Sequence, residues 1–161
     1  MNRLKTALLA TFVSLGALAS PAGWAGEGRG LDDGSIKFAK EADGASTCTI
    51  RYMAGDYDFV GEEPDNCVND EMSYFRLENV PSASQFELEK RRCHESGGWV
   101  VTLTVFKNPT TTNWISIPSL RQYEPGDIIV AGLRLKEKKE IGDDDLKGEL
   151  SCVRIRRSPL P

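Results

Sequence analysis

The sequence predicts an all-β protein built from two Greek-key units and stapled by disulfides. Three observations carry that expectation. Short runs of alternating β-branched and aromatic residues recur along the chain, with no sustained helix-period stretch. Turn-forming residues separate these runs at regular intervals, as in a sandwich or barrel. Four cysteines, at 48, 67, 93 and 152, follow a segment with the features of an export signal, and an even count in an oxidising compartment favours disulfides.

That segment comes first. Arg3 and Lys5 precede an apolar run from Ala7 to Ala19, and small residues then offer cleavage after Ala22 or Ala25, so residues 1–25 are expected to be a signal peptide. The run is too short and too interrupted to cross a bilayer, and no later stretch is more apolar. The expectation is therefore an exported protein, periplasmic or secreted, with no membrane span. Loss of Arg3 and Lys5 would make the chain more acidic than its formal net charge of −4. Such a chain has no general attraction to nucleic acid or to an anionic membrane. Its charges are segregated: acids crowd the stretch from Asp56 to Tyr74, and cations cluster at Lys90 to Arg92, at Arg134 to Lys139 and at Arg154 to Arg157. That asymmetry suits a protein partner, and exposed strand faces carry the same pattern.

Residues 26–46 are rich in glycine and charge and read as a flexible lead, with room for one short strand at Ile36 to Phe38. Ordered structure is expected over residues 47–157. "CTIRY", "SYFRL", "QFELE", "WVVTLTVF", "DIIVAGLRL" and "ELSCVRI" supply its strands; "PSAS", "ESGG", "KNPTTTN" and "EPGD" supply its turns. The runs recur in order, matching Tyr52 to Phe106, Phe59 to Trp114, Asp70 to Asp127 and Leu77 to Leu135. Two units, 47–93 and 99–157, follow, as a duplicated Greek key requires.

Tyr52, then Phe59-Val60-Gly61, then Asn69-Asp70-Glu71-Met72-Ser73 resemble the repeat of the βγ-crystallin family, in which paired aromatics and a glycine precede an Asn/Asp pair and a serine. The resemblance implies a βγ-crystallin-like sandwich. It also implies a calcium turn: a carboxylate from Asp70, the main-chain carbonyl of Glu71 and the hydroxyl of Ser73, with Asn69 completing the turn. Calcium accepts six to eight oxygens at tolerant geometry, so such a turn can serve. The second unit keeps only Asp127 of this pattern, and Tyr74 stands where the family has a second serine. The overlapping start "DYDFVG" is no EF-hand loop, because its fifth, ninth and twelfth positions are Val60, Pro64 and Cys67.

Sequence alone permits three disulfide pairings. Within the resemblance, Cys48 with Cys67 clamps the acidic loop, and Cys93 with Cys152 staples the two units. His94 reads as a surface residue and no nucleophile set accompanies it, so no enzyme is expected. Glu62-Glu63 and Asp143 to Asp145 read as solvated turns, and Trp99 and Trp114 as core or corner aromatics. "FKNPTTTNW" reads as a polar hairpin tip, making Asn108, Thr111, Asn113 and Trp114 the candidate partner contacts. Because the family includes secreted peptidase inhibitors, the resemblance implies a protein that neutralises another exported protein, such as a peptidase or toxin. A calcium-binding structural or stress protein, or a cell-surface glycan-binding module, is the alternative.

Overall fold

A computed structural model describes residues 34–45, 47–61, 67–142 and 146–157. The segment expected to be a signal peptide lies outside these residues, as do Glu62, Glu63 and Asp143 to Asp145. The described chain is all-β. Its strands are β1 (Ser35–Ala39), β2 (Thr47–Arg51), β3 (Gly55–Asp58), β4 (Tyr74–Glu78), β5 (Ser84–Glu89), β6 (Val100–Val105), β7 (Ile115–Ser116), β8 (Ile128–Val130), β9 (Leu133–Lys139) and β10 (Cys152–Arg157), with a 3-10 turn at Pro118–Gln122. Among the described residues no helix is long and apolar enough to cross a membrane.

The strands form two antiparallel sheets, ordered β2-β1-β4-β7 and β3-β10-β5-β6-β9-β8. Alternation explains their contact. Ile36 and Phe38 of β1, Phe75 and Leu77 of β4, Phe86 and Leu88 of β5, and Val153 and Ile155 of β10 all point inward and are fully buried. Rings from both sheets meet edge to face, Phe75 on Phe86 at 5.8 Å and Phe38 on Phe59 at 5.5 Å. One continuous apolar cluster results.

The strand order is two interlocked Greek keys. In the first, β1, β2 and β4 share the four-stranded sheet while β3 crosses to the edge of the other. In the second, β5, β6 and β10 share the six-stranded sheet while β7 crosses back. Each key thus lends its third strand to its partner. Cross-strand pairing sets the residue equivalence: Phe75 pairs with Phe38 and Ile115, and Val153 pairs with Leu88 and Tyr57.

This arrangement corrects three expectations. The lead is structured from Gly34 onward: β1 sits between β2 and β4 because Ile36 and Phe38 fill the core. The units are therefore β1 to β4 and β5 to β10, not 47–93 and 99–157; "QFELE" opens the second key rather than closing the first. The repeat pairs also shift. Tyr52 is equivalent to buried Val105, whereas Phe106 is exposed; Phe59 is equivalent to Ile117, since their amides donate to Ser151 and Ser73 carbonyls at the same 2.8 Å. "DIIVAGLRL" forms the β8–β9 hairpin, an addition at the edge of the larger sheet with no counterpart in the first key.

Candidate functional site

The last strand of each key is entered through a left-handed turn, and the two turns lie against each other. Aligning β4 with β10 matches Asn69-Asp70-Glu71-Met72-Ser73 to Lys147-Gly148-Glu149-Leu150-Ser151. Asp70 has φ 55° and Gly148 φ 61°. A short polar side chain tolerates that region, and glycine adopts it freely. Met72 and Leu150 bury their side chains below, and Ser73 and Ser151 are buried beside them.

Hydrogen bonds cross between the turns. The Asp70 amide donates to the Leu150 carbonyl at 3.2 Å, and the Gly148 amide donates to the Ser73 hydroxyl oxygen at 3.0 Å. The Ser151 hydroxyl donates to Asp70 Oδ1 at 3.2 Å, and Asn69 Nδ2 donates to Asp70 Oδ2 at 2.7 Å. Asn69 Oδ1 is buried and accepts no hydrogen bond. The second turn lies at Lys147 to Ser151 and not at Asp127, the position the sequence pattern favours. Its signal, the match of D-E-M-S to G-E-L-S, is present in the letters but is hidden by the inserted hairpin, whose "GDII" imitates the start of the motif.

The fit to calcium is uneven. Around the first turn stand the Asp70 carboxylate, the orphaned Asn69 Oδ1 and the Ser151 hydroxyl from the other key, so these three match the donor chemistry of a hard cation. Glu71, expected to offer its main-chain carbonyl, has its side-chain carboxylate 3.7 Å from Lys40, and Ser73 is engaged by the Gly148 amide, which takes one of its lone pairs. In the second turn Lys147 and Gly148 replace the Asn/Asp pair, removing the carboxylate. Among the described residues no group of three or more His, Cys, Asp or Glu side chains converges. Three oxygen donors therefore stand at the first turn, and the second turn lacks the carboxylate.

Beside the turns opens a cleft of about 460 Å³ whose lining includes Asn69, Asp70, Gly148 and Ser151 together with Lys90, Arg91 and Arg92. Lys90 pairs with Glu149 at 3.0 Å and Arg92 with Asp58 at 3.1 Å. Two disulfides lie close to the lining residues in sequence, Cys67 two residues before Asn69 and Cys93 next to Arg92. Cys48–Cys67 ties the β3–β4 connection to β2, and Cys93–Cys152 ties the β5–β6 loop to β10. Both pairings are those implied by the resemblance. Under the second bridge, Glu89 is buried and ion-paired to Arg154 at 2.7 Å; burial pushes its carboxyl above the usual range despite that partner.

The segment from Phe106 to Trp114 is not a projecting tip. Thr110 is buried and bridges to Val80, Thr111 Oγ1 accepts from the Asn79 amide, and Thr112 Oγ1 accepts from the Leu77 amide, each at 3.0 Å. The threonines lash the segment along the end of β4. Of the four candidate contacts, Asn108, Thr111 and Asn113 are exposed, and Trp114 is half-buried between Gly44 and the Arg76 guanidinium, 4.9 Å from its ring centre. Trp99 is wholly buried, as read from the sequence, and donates its indole N–H to Glu149.

No protein-family model and no curated protein matches this chain. Solved structures give weak overlays only. A betagamma-crystallin domain from Clostridium beijerinckii is 13% identical over 75% of this chain and 95% of that one, with a TM-score of 0.38, and a double mutant of that domain is 15% identical with the same score. A clostrillin double mutant in complex with nickel aligns at 13% identity, 75% and 95% coverage and a TM-score of 0.37. Overlays this loose add nothing to the reading of the fold, which rests on the strand order and the matched turns.

Proposed function

We propose that this chain is a small exported β binding protein that neutralises or inhibits another exported protein, a peptidase or toxin, by steric occlusion. The observation that carries this reading is a cleft lined by charged residues, with Cys67 bridged to Cys48 close to Asn69 and Asp70, and Cys93 bridged to Cys152 next to Arg92. Residues anchored next to a disulfide before encounter lose little conformational entropy on binding, and charges beside them speed encounter and select the partner. The test is capture of partners from the compartment to which the chain is exported, followed by assay of the captured protein's activity. A captured peptidase or toxin whose activity falls in proportion to added chain supports the reading. Retention on glycan or cell-wall matrix with no protein captured supports a surface-binding module instead.

A second reading, calcium binding at the first turn, is favoured by the orphaned Asn69 Oδ1 beside the Asp70 carboxylate. Calorimetry tests it. Heat of calcium binding in the wild type that disappears in Asp70→Ala supports the site, and equal heat in both sinks it.

A further inference from the structure

The β8–β9 hairpin breaks the equivalence of the keys. The first key joins its third and fourth strands through residues 59–73; the second uses residues 117–151 to make the same connection. Both fourth strands nevertheless occupy equivalent places, so the added length is not needed to close the fold. It extends the larger sheet beyond β6, while among the described residues the corresponding edge at β2 has no such addition.

The hairpin is held rigidly at both ends. At its turn, the Phe106 amide donates to the Gly132 carbonyl at 2.9 Å, and Gly132 packs so closely on Thr110 that a Cβ would lie 2.5 Å from the hydroxyl oxygen. At its base, Lys138 Nζ donates to the Tyr123 carbonyl at 2.8 Å and pairs with Glu124 at 2.9 Å.

What it presents is basic with an apolar margin. Gln85, Thr104, Arg134 and Ile128 are successive cross-strand partners across four strands, so they share the outer face of the sheet. Ile128 is 63% exposed at the terminal strand, and Phe106, two residues beyond Thr104, is 45% exposed. A depression of about 270 Å³ lies between Gln85, Thr104, Arg134 and Lys136. Of the acids nearby, Glu124 pairs with Lys138 and Glu137 with Lys139, Asp127 accepts from the Glu124 amide, and Glu87 lies two residues beyond Gln85 on β5. Arg134 makes no ion pair among the described residues, and Lys136 donates to Gln85 Oε1. A basic surface on a chain of net charge −4 is a local inversion of sign.

We infer that the β8–β9 hairpin is a docking face for an acidic, extended segment of a protein partner, its carboxylates meeting Arg134 and Lys136 and an apolar side chain seating against Ile128 and Phe106. Exposed arginine beside exposed apolar side chains on a rigid support is the composition of an interface anchor. Charge complementarity selects an acidic segment over the basic or neutral alternatives. The inference rests on the reading of this chain as a binding protein, and not on what the partner's own activity is.

Titration of the isotope-labelled, oxidised chain with a short peptide alternating Glu and Val, against a matched Lys–Val peptide and an oligonucleotide of equal charge, tests it by amide chemical shift. The expected result is shifts confined to β6, β8 and β9 with the Glu–Val peptide alone, weakened about tenfold or more in Arg134→Glu/Lys136→Glu and, separately, in Ile128→Glu. Shifts elsewhere, no shifts, or equal binding of the oligonucleotide overturn the docking face. So does concentration-dependent dimerisation that Ile128→Glu abolishes, which would make a second copy the occupant. A captured partner that binds the Arg134→Glu/Lys136→Glu variant as well as wild type refutes the face and leaves the binding-protein reading standing. Peptide binding as expected with no partner captured refutes that reading and leaves the face.

Discussion

The hydroxyl of Ser151 donates to the carboxylate of Asp70 across the junction of the two keys, 3.2 Å apart and 81 positions apart in the chain. Each residue sits in the turn that enters its key's last strand, so the hydrogen bond joins the two keys at equivalent places.

The turns differ in what they tolerate. Gly148 is left-handed at φ 61°, and an added Cβ would stand 3.2 Å from the Asp70 carbonyl. Gly148→Ala should therefore cost about 1–2 kcal/mol, read as a lowered melting temperature. Asp70→Gly, at φ 55°, should be close to neutral, because the backbone gain offsets the lost hydrogen bonds. A loss at Asp70 as large as that at Gly148 would mean that side-chain contacts, not backbone strain, govern the junction.

The disulfides should not contribute equally. Cys48–Cys67 closes a separation of 19 residues and Cys93–Cys152 one of 59. In the chain-entropy account each contributes about 2–4 kcal/mol, with the longer loop favoured by about 1 kcal/mol. Paired Cys→Ser variants compared by urea denaturation check the order.

Two carboxylates should bend the pH profile in opposite directions. Burial raises Glu89, so its folded form holds a proton more tightly than the unfolded chain does. Its contribution is full below the ordinary carboxylate range and falls as pH rises through the raised value. Glu78 is lowered by its hydrogen bond to Lys37, so its contribution is present above the ordinary range and is lost as pH falls. Glu89→Gln should thus lose less stability than wild type as pH rises above the ordinary carboxylate range, and Glu78→Gln should lose less on acidification below that range. Denaturant melts across this range read both.

The threonine segment should behave as structure rather than as a contact. Thr112→Val leaves the Leu77 amide without its side-chain acceptor, costing about 1–2 kcal/mol. Asn113→Ala, at an exposed position, should leave the melting temperature unchanged. A binding defect in Asn113→Ala at full stability would restore this segment as a partner surface.

The local letters determined the class of this protein. Alternation in "WVVTLTVF" and "QFELE" specifies strands whichever sheet receives them, because period-2 burial is a local property of the pleat. The turn at Asn69 to Ser73 was equally legible, since an acid tolerant of positive φ, a buried apolar residue and a serine follow one another. Tertiary structure decided which strands are partners. Ile36 and Phe38 looked too brief to matter within a glycine-rich stretch, yet they fill the centre of a sheet because β2 and β4 flank them. "GDIIVAGLRL" and "GELSCVRI" compete for one role on pattern alone. Only the pairing of Val153 with Leu88 and Tyr57 gives that role to β10 and leaves β8–β9 as the added hairpin. Register is a property of two strands together, so one strand's sequence cannot contain it.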